Sequence, residues 1–136
     1  MLNFKFNPQG TKRKDPGTFE GVCTLVNLVY TTSKSGNKMV KVTWNHDGFL
    51  FDDYHSCYDI SHKQQVANWL GEICYKLGED PAQFLDENPE NEDALLNMMC
   101  ISILDQLKFK GKLKREKEEN SNFFKCTLDI DSVEKV

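Results

Sequence analysis

The sequence predicts an α+β fold in which three antiparallel strands are followed by a helical segment and then by two further antiparallel strands. Two observations predict this order. In residues 19–54 and again in residues 107–130, apolar and polar residues alternate with a period of two, which is typical of strands with one buried face. In residues 61–106, apolar residues recur three and four positions apart, which is typical of amphipathic helices.

The first predicted element is a long hairpin in residues 19–44. Two runs rich in β-branched and apolar residues flank the turn sequence Ser-Lys-Ser-Gly-Asn, residues 33–37. Gly36 and Asn37 tolerate the positive φ angles that a tight reversal needs. Residues at mostly even spacing are expected to face the core: Val22, Val26, Leu28, Tyr30, Val40, Val42 and Trp44.

A third strand and a first helix follow the hairpin. The Asp-Gly pair at residues 47–48 predicts a tight turn, so a strand is expected from Phe49 onward. Ser61 with Gln64 three positions later forms a capping-box pattern, which predicts that the helix begins near Ser61. Gly78 is the residue type that ends helices, so the helix is expected to stop just before it.

Two more helical segments are predicted before the sheet resumes. Asp80 followed by Pro81 combines a capping residue with the proline favoured at a first helical position, so a short helix begins there. Asn91 is expected to cap a longer helix over residues 92–105. The apolar surface of that helix is broad, which indicates that it is largely buried.

The last two strands form a second predicted hairpin. Apolar residues alternate with lysines in residues 107–114, and Gly111 takes an apolar position, where a bulge or sharp bend is expected. After a turn at residues 118–122, the alternation resumes in residues 124–130. Five antiparallel strands with a helix after the third is OB-fold connectivity, so we expect a five-stranded antiparallel OB-like barrel. Closure of the barrel would also remove the exposed edges of the sheet.

The predicted organisation is a single domain, because 136 residues suit one hydrophobic core. Residues 1–17 are expected to form a flexible basic arm, and the alternation of Phe4 and Phe6 predicts that its first residues dock as an edge strand. Its run Thr-Lys-Arg-Lys is either a phosphate-seeking element or ordinary solvated charge. Residues 18–131 form the OB-like domain, with a helical insertion at residues 61–106, and residues 132–136 are expected to fray.

Composition narrows the class of protein. No apolar run approaches the roughly 18 residues that span a bilayer, and the N-terminus lacks a secretory apolar region, so we expect no membrane partner. The five cysteines are odd in number, widely spaced and without a CxxC pair, which favours free thiols in the cytoplasm. No phosphate-cradling glycine loop, nucleophile elbow or HExxH motif is present, so we expect a protein that is not an enzyme.

The net charge of −4 is unevenly distributed along the chain. Residues 1–44 carry seven Lys/Arg and two Asp/Glu, residues 45–106 carry two and thirteen, and residues 107–136 carry eight and six. The predicted strands are therefore basic and the helical segment is acidic. This asymmetry suits a nucleic-acid-binding face on an acidic protein. It equally suits an acidic surface that competes with DNA for a basic groove on another protein.

Single-strand binding needs a basic groove and aromatic faces on which bases stack. The alternating lysines of residues 108–114 would stand about 6.6 Å apart on one strand face, close to the phosphate spacing of an extended strand. The alternative is a solvated outer face that keeps the strand soluble. The candidate cations are Lys34, Lys38, Lys41, Lys108, Lys110, Lys112, Lys114 and Lys125. The candidate stacking residues, each with a core or half-core alternative, are Tyr30, Trp44, Tyr54 and Tyr58.

A second group of residues is a candidate metal site. Asp53, His55 and Cys57 alternate, so a strand would place all three on one face, and His62 at the helix start could supply a fourth ligand. Zinc accepts such mixed sets of ligands, and a structural zinc would staple the strand to the helix. The alternative is a set of buried structural residues and solvated histidines, with no cofactor.

Several short motifs resemble a family of small phage proteins related to single-stranded-DNA-binding proteins. The motifs are Asn-Phe-Lys-Phe-Asn-Pro at residues 3–8, Gly21, residues 32–37 with 39–44, Asp53-Tyr54, Lys-Leu-Gly at residues 76–78, and Phe-Lys-Gly-Lys-Leu at residues 109–113. The resemblance implies an OB-like barrel that binds single-stranded DNA during phage replication or recombination. It also implies a location in the host cytoplasm and partners among phage or host DNA-processing proteins, such as a nuclease or recombinase.

Two functional hypotheses follow. The first is a phage-type single-stranded-DNA-binding protein, in which residues 108–114 track the DNA backbone and aromatics of the first three strands stack on bases. The second is a phage-encoded inhibitor of a host defence nuclease, for example an anti-CRISPR protein directed at Cas9. Its acidic stretch Glu79–Asp93 would face a basic DNA-binding cleft. A shared fold does not separate the two hypotheses.

Overall fold

A computed structural model describes residues 19–85, 89–120 and 124–136 of the chain. The predicted arm at residues 1–17 lies outside these ranges. The described elements, in chain order, are β1 (Phe19–Thr32), β2 (Lys38–His46), β3 (Phe49–Ser56), α1 (Ile60–Lys76), a 3-10 helix (Pro81–Phe84), α2 (Glu92–Gln106), β4 (Phe109–Lys117) and β5 (Phe124–Lys135).

The five strands form one antiparallel sheet in the order β3-β2-β1-β4-β5. The α+β class and the antiparallel pairing are confirmed, whereas the predicted closure into a barrel is wrong, because β3 and β5 are the two edges of an open sheet. Helix α1 packs against both β3 and β5, so it bridges the two edges that a closed barrel would pair directly. Covering the apolar face with helices buries that face without closing the sheet.

The core lies between the sheet and the two helices. Its largest fully buried side chains are aromatic and come from three different strands: Trp44, Phe51 and Phe109. The rings of Trp44 and Phe109 meet edge to face with 5.5 Å between their centroids, which is a favourable aromatic geometry. Helix α1 contributes Leu70 and helix α2 contributes Ile103 to the same core. We call the opposite side of the sheet, which includes Val22, Lys41, Tyr54 and Lys112, the outer face.

A β-bulge in β1 changes which residues face the core. The register of β1 with β2 shifts between Leu25 and Asn27. Cys23 and Leu25 are therefore buried, whereas Val22 is 55% exposed and Val26 is 45% exposed. The prediction that Val22 and Val26 face the core is wrong, because the extra residue of a bulge reverses the alternation on one side of it.

The two turns of the first three strands agree with the prediction. In the β1–β2 turn, Gly36 has a φ of +89°, and its N–H donates to the carbonyl of Ser33 at 2.9 Å. In the β2–β3 turn, Asp47 has a φ of +51° and Gly48 a φ of +84°, as a two-residue hairpin turn requires. The turn sequences therefore specified the hairpins correctly.

The helix boundaries agree with the prediction except at the start of α1. The N-cap is Asp59 rather than Ser61, because the Asp59 carboxylate accepts the backbone N–H of His62 at 2.8 Å. Gly78 ends α1 with a φ of +80°, as predicted. Asn91 caps α2 by accepting the N–H of Ala94 at 2.9 Å. No helix within the described ranges is long and apolar enough to cross a membrane.

Strand β5 continues beyond the predicted end. Residues 132–136 were expected to fray, but β5 reaches Lys135 and Val133 is only 2% exposed. The predicted irregularity at Gly111 is confirmed, because the β4–β5 register shifts between Lys110 and Lys112. A Cβ at Gly111 would lie 2.6 Å from Cδ1 of Leu128, so a side chain there would require the Leu128 side chain to move.

Candidate nucleic-acid interface

The lysines of β4 lie on the outer face, and each is matched by a carboxylate. We call Lys110, Lys112 and Lys114 the β4 lysines. Their ammonium nitrogens lie 3.8 Å from Glu134, 3.7 Å from Glu20 and 3.0 Å from Glu116, respectively. The hydrogen bond from Lys114 to Glu116 raises the pKa of the lysine. The outer face around β4 therefore carries both positive and negative side chains and is not purely cationic.

The lysines of the first hairpin have different surroundings. We call Lys34, Lys38 and Lys41 the hairpin lysines. Lys34 is exposed in the turn, Lys38 begins β2 with its ammonium 5.7 Å from the centroid of the Tyr30 ring, and Lys41 lies on the outer face. Among the residues that the structure describes, no carboxylate lies within 4.0 Å of these three ammonium groups. Their charge is therefore less compensated than that of the β4 lysines.

The two remaining candidate lysines lie apart from the hairpin. Lys125 is exposed on β5 and pairs in register with Glu116 on β4. Lys108 is exposed just before β4, and its carbonyl accepts the N–H of Val136 at 3.2 Å. Lys125 lines a cleft together with Tyr54 of β3, whereas Lys108 does not line that cleft.

The candidate stacking residues divide by exposure. Trp44 is only 1% exposed and packs on Phe109, so it is a core residue and cannot stack on a base. Tyr54 is 52% exposed on the outer face, directly opposite Lys41 in the β2–β3 register. Tyr58 is 61% exposed and rests against the ring of His62 at 4.3 Å. Tyr54 is thus the aromatic residue that combines exposure with an adjacent cation in a strand.

Tyr30 has a structural contact instead. Its hydroxyl donates a hydrogen bond to the Asp93 carboxylate at 2.5 Å. The same carboxylate oxygen lies 2.9 Å from the Lys63 ammonium. Asp93, in the first turn of α2, therefore joins β1 to both helices. The hydrogen bond from Tyr30 and then that from Lys63 lower the pKa of Asp93, and burial is the main cause that raises the pKa of Tyr30.

Sequence reasoning missed the junction formed by Tyr30, Lys63 and Asp93. Two acidic residues in the first turn of a helix, here Glu92 and Asp93, suit the positive end of its dipole whatever else they contact. The contacts that Asp93 makes with Tyr30 and Lys63 span 63 and 30 positions along the chain. No local spacing signals such a contact, because it depends on how the helices dock on the sheet.

The structure does not bring the four candidate metal ligands together. His55 pairs with Asp53 at 3.0 Å and stacks on Trp69, whereas His62 pairs with the capping residue Asp59 at 2.7 Å. The Asp53 carboxylate also accepts the N–H of Tyr54 at 2.9 Å. Cys57 is fully buried, and burial raises the pKa of its thiol. Within the described ranges, no group of three or more His, Cys, Asp or Glu side chains is arranged to hold a metal ion.

Sequence reasoning also missed the aromatic contacts of Arg115. Its guanidinium lies 5.2 Å from the centroid of Phe51 and 4.2 Å from that of Phe124. These rings belong to β3 and β5, the two edge strands of the open sheet. Arg115 therefore contacts both edges. Cation–π contacts of this kind contribute about 0.5–2 kcal/mol each. The signal in the sequence is that Arg115 continues the alternation of Phe109, Gly111 and Leu113, the buried positions of β4. This alternation predicts that its side chain lies on the core side.

No family model and no curated protein sequence matches this chain. The functional assignment therefore depends on the geometry. The feature best suited to a ligand is the surface formed by the β1–β2 turn and the outer face of β2 and β3, which we call the hairpin surface. It consists of Lys34, Lys41 and Tyr54, whereas Lys38 has the parity of buried Val40 and lies on the helical side of the sheet, near Tyr30.

Proposed function

We propose that the protein binds single-stranded DNA on the hairpin surface and acts in phage replication or recombination, as the sequence resemblance implies. The observation that carries the proposal is the pairing of exposed Tyr54 with Lys41 on neighbouring strands, near Lys34; among the described residues, neither lysine has a carboxylate within 4.0 Å. A cation contacts a phosphate while an adjacent ring stacks on a base, which is the combination used by proteins that bind single strands.

The topology supports an OB-like fold that is open along one seam. The order β3-β2-β1-β4-β5 is that of an OB-like barrel opened between its third and fifth strands. OB-folds are partly open barrels that bind oligonucleotides on the face of strands 2 and 3 and at the loop between strands 1 and 2. In such a fold, the hairpin surface would correspond to that binding position, which supports the proposal. The β4 lysines, which the sequence favoured, lie elsewhere in this arrangement.

The test is a titration of labelled oligo(dT) at roughly 50 mM and 200 mM salt. The proposal requires binding at the lower concentration and an affinity that falls steeply at the higher one, because binding releases counterions from the phosphates. A protein that leaves oligo(dT) free at low salt does not have this function. Binding that is insensitive to salt would also contradict the proposed contacts with phosphates.

The second candidate is an inhibitor that binds a host DNA-processing protein, such as a defence nuclease. It is favoured by exposed carboxylates near the helices that have no ammonium or guanidinium within 4.0 Å among the described residues: Glu72, Asp80, Glu90 and Glu92. Other acids of the region are compensated, since Asp93 pairs with Lys63 and Glu79 with Lys135. Such an inhibitor would co-elute with a nuclease and would not bind oligo(dT).

A further inference from the structure

A groove of about 540 Å³ lies on the helical side of the molecule, away from the hairpin surface. Helix α1 forms one wall, the 3-10 helix and Leu85 form the other, and Leu95 and Met99 of α2 form the floor. Its lining is mainly apolar, and its volume is in the range of roughly 300–1,000 Å³ that is typical of ligand sites. The groove is open along its length, as a site for a macromolecular segment requires.

Small residues create the space in this groove. Ala67 and Gly71 are one helical turn apart on the α1 wall, and Ala82 faces them from the 3-10 helix. A Cβ placed on Gly71 would lie 3.9 Å from Pro81 Cγ, which is an ordinary van der Waals distance. Larger side chains at these positions would fill the groove. Tyr75 stands beside it and is 66% exposed, although it is a large aromatic residue.

The two charged residues that line the groove are both acidic. Glu72 and Asp80 line it and are exposed, and the described lining residues include no lysine, arginine or histidine. The Glu72 carboxylate has no cation within 4.0 Å in the part of the chain that the structure describes. The Asp80 carboxylate is held in place by the N–H of Ala82 at 3.0 Å. An occupant therefore needs apolar side chains for the floor and positive charge for the rim.

We propose that this groove docks a basic amphipathic helix of a partner protein. Two helical walls and an apolar floor suit the helix-in-groove mode, in which residues at i, i+3 or i+4 and i+7 insert as anchors. Lysine or arginine beside those anchors would pair with Glu72 and Asp80. The site is independent of DNA binding, because it shares no residue with the hairpin surface.

A peptide selection tests the proposal with the whole chain as bait. The probe is a display library of random peptides of about four helical turns. We expect the enriched peptides to have a net positive charge and apolar residues at helical spacing. Enrichment of neutral or acidic peptides, or no enrichment, would overturn the proposal.

Two groove variants locate the binding of the enriched peptides. Glu72→Gln with Asp80→Asn removes both charges, and asparagine retains the capping function of residue 80. Ala67→Phe fills the groove. Each variant should weaken binding roughly tenfold or more, with folding checked by urea denaturation. Peptide binding that survives both variants would place the occupant elsewhere.

Matched controls and a second readout complete the test. Asn97→Phe on α2 and Asp105→Asn with Glu119→Gln change exposed residues outside the groove and should leave peptide affinity unchanged. Light scattering of the free protein addresses a second copy as the occupant. A dimer that Ala67→Phe dissociates would assign the groove to self-association and overturn the proposal. Wild-type protein that leaves oligo(dT) free but binds the peptides would contradict the DNA-binding proposal and support the separate groove proposal.

Discussion

The β4 lysines and the hairpin lysines differ in the carboxylates that lie beside them. In the sequence, the β4 lysines are the more conspicuous set, because they alternate without interruption. In the fold, Glu20, Glu116 and Glu134 come within 3.0–3.8 Å of them, whereas the hairpin lysines have no such partner among the described residues. The comparison teaches that the density of lysines along a strand does not determine a cationic surface. The carboxylates beside the lysines determine it, from the neighbouring strands for Lys110 and Lys112 and from β4 itself for Lys114.

The largest expected effect tests this comparison directly. Lys34→Gln with Lys41→Gln should lower oligo(dT) affinity about 25-fold at roughly 0.1 M salt and reduce the salt slope by about 1.4, at about 0.7 per phosphate contact. Fluorescence anisotropy at several salt concentrations measures both quantities. Glutamine is chosen because glutamate would introduce repulsion as well as remove charge.

The matched control for that variant is Lys110→Gln with Lys112→Gln. Because these lysines already have carboxylate partners, their replacement should change the affinity less than about threefold. Equal losses in the two double variants would show that both lysine groups contact DNA. A greater loss in the β4 variant would move the interface to β4.

The next effect concerns the ring beside Lys41. Tyr54→Ala should weaken oligo(dT) binding about tenfold, near the lower end of the roughly 1–3 kcal/mol that one base stack contributes. Tyr54→Phe should retain most of the affinity, because the ring is kept. Tyr75→Ala on the helical side is the matched control, since Tyr75 is also exposed. Identical behaviour of the two alanine variants would exclude stacking on Tyr54.

A smaller effect concerns how the hairpin is anchored. Tyr30→Phe removes the hydrogen bond to Asp93 and should lower the free energy of unfolding by about 1 kcal/mol. Urea denaturation at neutral pH measures this change. The expected loss in DNA affinity is slight, because the Tyr30 hydroxyl is engaged by Asp93 and is not part of the hairpin surface. A variant that stays fully stable but loses DNA binding would instead make Tyr30 a contact residue.

The Asp93 junction also predicts a dependence on pH. The pKa of Asp93 is held below its ordinary value of 3.8 in the fold. Its contribution to stability is therefore complete above pH 3.8 and is lost as the pH falls through the lowered folded pKa. Asp93→Asn should reduce this part of the acid sensitivity, compared by urea midpoints at neutral pH and below pH 3.8. An unchanged pH profile in the variant would contradict the assignment.

The smallest expected effect returns to the β4 lysines. Replacing all three by glutamine should lower the urea midpoint less than Tyr30→Phe does, because each pair is largely exposed to solvent. High salt should reduce the difference from wild type, since exposed pairs are screened. A large, salt-independent loss would indicate that these lysines support the fold in another way.

Local chemistry predicted most of the elements. The Asp-Gly turn at residues 47–48, the cap at Asn91 and the end of α1 at Gly78 were all correct, because each depends on one to four neighbouring residues. The start of α1 was misplaced by two residues, since Asp59 and Ser61 are both capping residue types. In the fold, Asp59 is the cap because its carboxylate accepts the N–H of His62 at 2.8 Å.

Two parts of the fold lay beyond local pattern. The bulge between Leu25 and Asn27 has no glycine to mark it, so the alternation was followed through it and Val22 and Val26 were assigned to the wrong face. Closure of the sheet depends on what covers its apolar side. Helix α1 lies against both edge strands, and that placement is a property of packing rather than of any strand sequence.

The sequence by itself determined where the strands and helices lie, how the turns reverse, and that the fold is α+β, because these follow from interactions within a few residues. Only the tertiary structure decided which lysines lack a carboxylate within 4.0 Å among the described residues, that Trp44 is core and Tyr54 is exposed, and that Asp93 joins β1 to both helices. The physical reason is that ion pairing and burial depend mainly on neighbours across the sheet and across the core. Except for Glu116, which is two positions from Lys114, those neighbours are distant in the chain, and only folding brings them within a few ångströms.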